Sequence, residues 1–178
     1  VVGASGSGKS TFARRLAARL GVGHVELDAH YWGPGWTPRP PEDFRHDAER
    51  AVAEDAWVVD GNYSALQPMI WARADTVVWL DPPTPLVLAR VYRRTVRTAM
   101  DRTELWPGTG NRQPWTDVLA PWSRDSIIRW SVRQRRQHPR RYGDAMTTPA
   151  NAHLTFHRLR TRRAVEGFLA GGGPSSRP

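Results

Sequence analysis

Nine residues near the amino end, Gly3-Ala4-Ser5-Gly6-Ser7-Gly8-Lys9-Ser10-Thr11, have the types and spacing needed to handle phosphate. They fill every fixed position of the pattern G-x-x-x-x-G-K-[ST], that of a P-loop. Glycines at Gly3, Gly6 and Gly8 let the backbone curl and turn successive N–H groups toward one point, and Ser5, Ser7 and Thr11 belong to the same expected nucleotide-binding set. A following helix adds the positive end of its dipole. Lys9 is placed to reach the β- and γ-phosphates of ATP or GTP, and the Ser10 hydroxyl to ligate a bridging Mg²⁺. The same letters could arise in a Gly/Ser linker. Against that, Val1 and Val2 precede the loop as the end of a strand, and Phe12, Leu16 and Leu20 follow at helical spacing. Gly21 closes that helix as a C-cap.

The elements that must position this loop follow along the chain. His24–Asp28 reads as a short strand ending in a carboxylate, and 29–41 as a Gly/Pro-rich loop with Trp32 and Trp36. A helix is expected from Pro41 to about Glu54. The apolar run Ala56–Asp60 reads as a buried parallel strand. A short helix interrupted near Pro68 precedes a second buried strand, Thr76–Asp81. The spacing then predicts a helix over Thr84–Met100, a broken segment over 101–115, and a basic helix between about Thr116 and Gln137. A last strand, His153–Leu159, leads through Thr161 as N-cap into a helix ending near Ala170. Alternating strands and helices imply a parallel α/β sheet with helices on both faces. Ligands of such sheets lie beyond the carboxyl ends of the strands, where the loop, Asp28, Asp60 and Asp81 all fall.

The length of 178 residues fits one domain, expected over 1–170 with a Gly/Pro/Ser tail over 171–178 that should be disordered. The chain starts inside a strand, so a few residues of that strand are expected to precede Val1. There is no Cys, and nothing resembles a signal peptide or membrane span, which predicts a cytoplasmic protein, monomeric or weakly dimeric. The net charge of +9 is uneven: residues 1–89 hold 8 basic and 11 acidic side chains, residues 90–163 hold 17 and 5. Lys9 is the single Lys among 26 basic residues. Trp106, Trp115, Trp122 and Trp130 are interleaved with Arg in the basic half, a mixture that also suits single-stranded nucleic acid. His153 and His157 are too far apart on one strand to share an ion.

The stretches GASGSGKST, LDAHYW (27–32), WVVDGNYS (57–64), ADTVVWLD (74–81), RVYRRTVR (90–97) and LRTRRAVEGFL (159–169) resemble the nucleoside-monophosphate kinase group of P-loop proteins. Within that group they are most similar to its small bacterial branch of topology modulation or adenylate-kinase-like proteins. The resemblance implies a P-loop NTPase fold of three α/β/α layers. It also implies a five-stranded parallel sheet in the order 2-3-1-4-5, and a helical lid over about 98–138. It implies that Asp60 holds Mg²⁺ through water, that Arg90 and Arg94 clamp the transferring phosphate, and that Arg133 and Arg136 form a second pair. VVDGNYS lacks the Phe-Pro-Arg that follows Asp-Gly in adenylate kinases, which leaves the acceptor open.

Phosphoryl transfer is mostly positioning and charge neutralisation, and arginines suit it. Arg90, Arg94 and Arg97 share one side of their helix, although a solvated charged face would show the same run. Asp28 could orient an acceptor hydroxyl or take its proton, or simply cap the next turn. The leading expectation is Mg·ATP-dependent transfer to a small acceptor. The competing expectations are nucleic-acid binding by the basic half and nucleotide sensing without turnover.

Overall fold

The computed structural model describes residues 1–120, 122–123 and 126–172; the expected tail lies outside the described residues from 173 onward. In chain order the elements are β1 (Val2–Gly3), α1 (Lys9–Leu20), β2 (Gly23–Glu26), α2 (Leu27–Tyr31), α3 (Pro41–Ala51), β3 (Trp57–Asp60), α4 (Gln67–Arg73), β4 (Thr76–Leu80), α5 (Thr84–Met100), α6 (Thr116–Leu119), α7 (Ile127–Thr147), β5 (Thr155–Leu159) and α8 (Arg162–Gly167). Short 3₁₀ turns lie at Pro34–Trp36 and Pro149–Asn151.

All strand pairs among the described residues are parallel. β1, β4 and β5 form a three-stranded sheet with Val2 opposite Trp79 and Leu80 opposite Leu159. β2 and β3 form a second pair with Glu26 opposite Asp60. Two backbone hydrogen bonds tie the pair to the chain just before β1: the Val1 nitrogen donates to Val59 O (2.6 Å) and the Gly61 N–H to Val1 O (3.3 Å).

Side chains alternate across a strand, and that alternation divides the core. Val59, Val77 and Trp79 point to one face, packing with Phe44, Ile70, Trp71 and Tyr142 from α3, α4 and α7. Val58, Val78 and Leu80 point to the other, against Phe12, Ala13 and Leu16 of α1 and Phe168 and Leu169 after α8. A third cluster, Ala4, Val87, Val91 and Ile128, fastens α5 and α7 to the loop after β1. No helix among the described residues is long and apolar enough to cross a membrane.

The observed elements depart from the sequence expectation in two informative places. The strand expected to end at Asp28 stops at Glu26, because Leu27 turns into the core and starts α2, so Asp28 sits on a short helix. The single basic helix expected over 116–137 is two helices. α7 begins at its own N-cap, Ser126, whose hydroxyl accepts from the Ile128 N–H at 3.1 Å. It then runs through Pro139 to Thr147. Pro normally ends a helix; here burial of His138 before it and Tyr142 and Ala145 after it holds the helical path.

His138 supplies a test of that anchoring. It is 4% exposed and packs on the Tyr142 ring at 5.1 Å between centroids. Burial, helped by the nearby Arg141, Lys9 and Arg135 charges, lowers its pKa from 6.5 to about 4. The unfolded chain therefore takes up the proton first as pH falls. This contribution to stability is complete above pH ~6.5 and is lost on the way down to pH ~4, amounting to about 3 kcal/mol. Urea melts across that window should show the loss, and His138→Gln should flatten it.

Candidate functional site

The loop between β1 and α1 is held from three sides. The Asn62 side-chain amide clamps Gly3, accepting from its N–H at 3.1 Å and donating to its carbonyl at 2.7 Å. Inside the loop the Ser7 N–H donates to Ala4 O at 3.0 Å. Gly6 has φ +81° and lies directly against α5: a Cβ there would stand 2.4 Å from Val91 Cγ2 and 2.8 Å from Val87 O. Only glycine fits both demands. Gly8, at φ +94°, has a freer outlook, with Arg90 Nη1 the nearest atom at 3.9 Å from the Cβ position. The N–H groups of Gly6, Gly8, Lys9 and Ser10 meet no acceptor among the described residues, as expected where a helix begins. Lys9 is half-buried, and its ammonium makes no hydrogen bond or ion pair among the described residues. Ser5 and Ser7 are buried, the Ser7 hydroxyl without a hydrogen-bond partner among the described residues, while Thr11 is exposed on α1.

Below the loop lies the Asp60 carboxylate, 1% exposed at the end of β3. Ser10 Oγ donates to its Oδ1 at 2.9 Å, and His24 Nε2 stands 2.8 Å from its Oδ2. Glu26, next to Asp60 in register, has its pKa raised by burial first and then by the charges of Asp60 and Asp28. Among the described residues no cluster of three or more His, Asp or Glu could hold a metal by itself. Asp60 and the adjacent Ser10 hydroxyl are the residues that could hold a magnesium ion bringing most of its ligands as water and phosphate oxygens.

Two arginines of α5 reach the loop. Arg94 Nη2 donates to Ser5 Oγ at 3.0 Å, and Arg90 Nη1 lies 3.5 Å from Ser7 O. Arg94 is exposed as a residue, yet protein atoms crowd its guanidinium and pull its pKa down, while Asp28 and Glu26 act in the opposite direction. From α7 it is Ser131 that meets the loop, donating to Ser5 O at 2.9 Å, and Gln134 that accepts from Asn62 Nδ2 at 3.3 Å. Arg133 and Arg136 are exposed on the other side of that helix. The geometry therefore brings together Lys9, Ser10, Asp60, Arg90 and Arg94 around the loop and leaves Arg133 outside.

Asp28 faces this group from α2, its Oδ1 accepting from the Tyr63 hydroxyl at 2.7 Å. Burial and the Asp28 charge raise the Tyr63 pKa, so the phenol keeps its proton. Around them Tyr31, Phe44 and Tyr63 pack ring to ring. Trp32 and Trp36 join Trp106 of the 101–115 segment, with centroids 5.6–6.4 Å apart. Asn111, 2% exposed, bridges the same two segments, donating to Gly33 O at 2.9 Å and accepting from the Trp36 N–H at 2.8 Å. The segment after α5 is thus clasped to the loop after α2.

No family model, curated protein or solved structure matches the chain. The chemistry must be read from its own side chains. His24, Glu26, Asn62 and Ser131 were not singled out from sequence, and only the first had a local signal, a polar ring inside a short apolar strand.

The close seat of Gly6 predicts that Gly6→Ala costs about 1–3 kcal/mol, from the strained φ and the clash with α5 together. Gly108→Ala, with φ +83° but nothing within 4 Å of the added Cβ, is the comparison that carries the φ strain alone. Thermal melts should show the larger loss at Gly6.

Proposed function

We propose that the protein is a Mg·ATP-dependent phosphotransferase acting on a small hydroxyl-bearing acceptor. The observation that carries the reading is the Ser10–Asp60 hydrogen bond at the foot of a loop whose N–H groups are open and whose rim holds Lys9, Arg90 and Arg94. A nest of amides and three cations is a triphosphate site. We also infer that the two strand ladders belong to one sheet in the order β2-β3-β1-β4-β5. The Val1–Val59 and Gly61–Val1 hydrogen bonds support it, since they have the alternation of a parallel ladder centred on Val1 and Asp60.

Ser10 and Asp60 are the residues that would hold magnesium, which when bound neutralises charge between the β- and γ-phosphates. The loop amides and Lys9 bind and orient the triphosphate. Arg90 and Arg94 face the charge that spreads over the equatorial oxygens during transfer. Asp28 orients the acceptor hydroxyl and accepts its proton as the new P–O bond forms and the bond to the leaving ADP breaks. Tyr63 holds the Asp28 carboxylate in place, and Glu26, its pKa raised chiefly by burial, lies beside Asp60. The aromatic clasp covers this side and excludes water.

Calorimetry should detect magnesium-dependent uptake of ATP or GTP, and Lys9→Ala should weaken it about 10–100-fold, the worth of a charged hydrogen bond or two. Asp60→Asn should remove the magnesium dependence while leaving residual nucleotide binding. A panel of monophosphates, nucleosides and small alcohols, scored for ATP consumption with Lys9→Ala as control, identifies the acceptor. Folded protein that takes up neither nucleotide refutes the reading, and tight binding with no consumption across the panel points to a sensor instead.

A further inference from the structure

The outer face of α7 carries a row of guanidinium groups that the proposed reaction does not use. α7 holds six arginines and a single acid, Asp144. Two of the six turn inward and are matched: Arg135 donates to Thr84 and to Asp81 at 2.9 Å, and Arg141 bonds Gln67. The other four, Arg129, Arg133, Arg136 and Arg140, are exposed. At 3.6 residues per turn they fall within an arc of roughly 60°, stand ~4.5–6 Å apart along the axis and span ~16 Å. That arc lies opposite the buried Ser131, His138 and Tyr142. Arg140 lies 4.0 Å from Asp144 with both side chains largely in water, and the other three have no ion pair among the described residues.

Like charges three and four residues apart repel and oppose the helix that carries them. A polyanion laid along the row would relieve that repulsion and release its own counterions. We propose that this face of α7 binds a nucleic-acid strand along its phosphodiester backbone. One phosphate needs donors that converge, whereas this row is spread in a line and matches a repeating charge. An anionic membrane is a poorer fit, because the arc has no aliphatic side chain to insert. Trp130, 45% exposed, borders the row and offers a ring on which an unpaired base can stack.

Fluorescence anisotropy with a labelled oligothymidylate and a duplex, across a salt series, tests the proposal. Binding should weaken steeply with salt. Arg133→Gln combined with Arg136→Gln should lower affinity at least ~10-fold and reduce the slope of log K against log salt by ~1.4, two single-strand phosphate contacts. Trp130→Ala should weaken the single strand by ~10-fold and the duplex little. Circular dichroism establishes that each variant keeps its helix content. Lys9→Ala should bind the oligonucleotide as the unsubstituted protein does, which separates this surface from the nucleotide site. Absent or salt-insensitive binding, unchanged affinity in the folded double variant, loss of binding in Lys9→Ala, or preferential uptake by phosphatidylserine vesicles would each overturn it.

Discussion

A carboxylate with 1% exposure cannot keep its charge without partners, and Asp60 takes them from two other elements. Ser10 comes from the first turn of α1 and His24 from β2. Both contacts require β2 and β3 in the register that sets Glu26 beside Asp60, and α1 seated on the face that also receives Val58. Loop, first helix and two strands are thereby fixed relative to one charge. The proposed phosphate site would need that rigidity, since its donors must already point at the place where charge would develop.

The arginine side is fixed by a different contact. Gly6 has no side chain, so α5 comes close enough for Val87 and Val91 to touch the loop backbone. Residues one turn apart from these, Arg90 and Arg94, then fall over Ser7 and Ser5. The buried stripe Val87, Val91, Thr95 and Ala99 sets the rotation of α5, and the two guanidinium positions follow from helical geometry. The loop and α5 form one packed unit, and Ser131 of α7 closes it.

The parts of this arrangement that local sequence specifies were legible. The loop, α1 with its Gly21 cap, the apolar strands β3 and β4, and the full extent of α5 follow from spacing, glycine placement and apolar runs. Contacts that depend on register were not. His24 meets Asp60 because the β2–β3 register sets it opposite Val58, two residues before Asp60, and Asn62 reaches Gly3 because the end of β3 and the chain at Val1 run side by side. The face of α7 was illegible for a related reason. Its few apolar residues do not define a phase until Ser126 is known as the cap, so Arg133 and Ser131 could not be told apart by spacing. Nor could composition show that Trp32 and Trp36 of the 29–41 loop pack against Trp106, far along the chain.

Asp60 ends β3 and Asp81 follows β4, and both are buried, yet their surroundings differ. Asp81 receives Arg158 at 2.5 Å and Arg135 at 2.9 Å, with Arg160 at 3.8 Å, so its charge is spent joining β4, β5 and α7. Arg158 also lies over the Trp79 ring, 4.2 Å from its centroid, which fixes the guanidinium from the other side. Arg158 takes both acceptor sites of Oδ2 and Arg135 one of Oδ1, so guanidinium groups already neutralise this carboxylate. Asp60 has a hydroxyl and an imidazole as partners, neither of which brings a fixed positive charge. Asp81 draws Arg158 of β5 and Arg135 of α7 to itself, and no guanidinium pairs with Asp60 among the described residues. Of the two, Asp60 is therefore the carboxylate that the proposed magnesium role calls on.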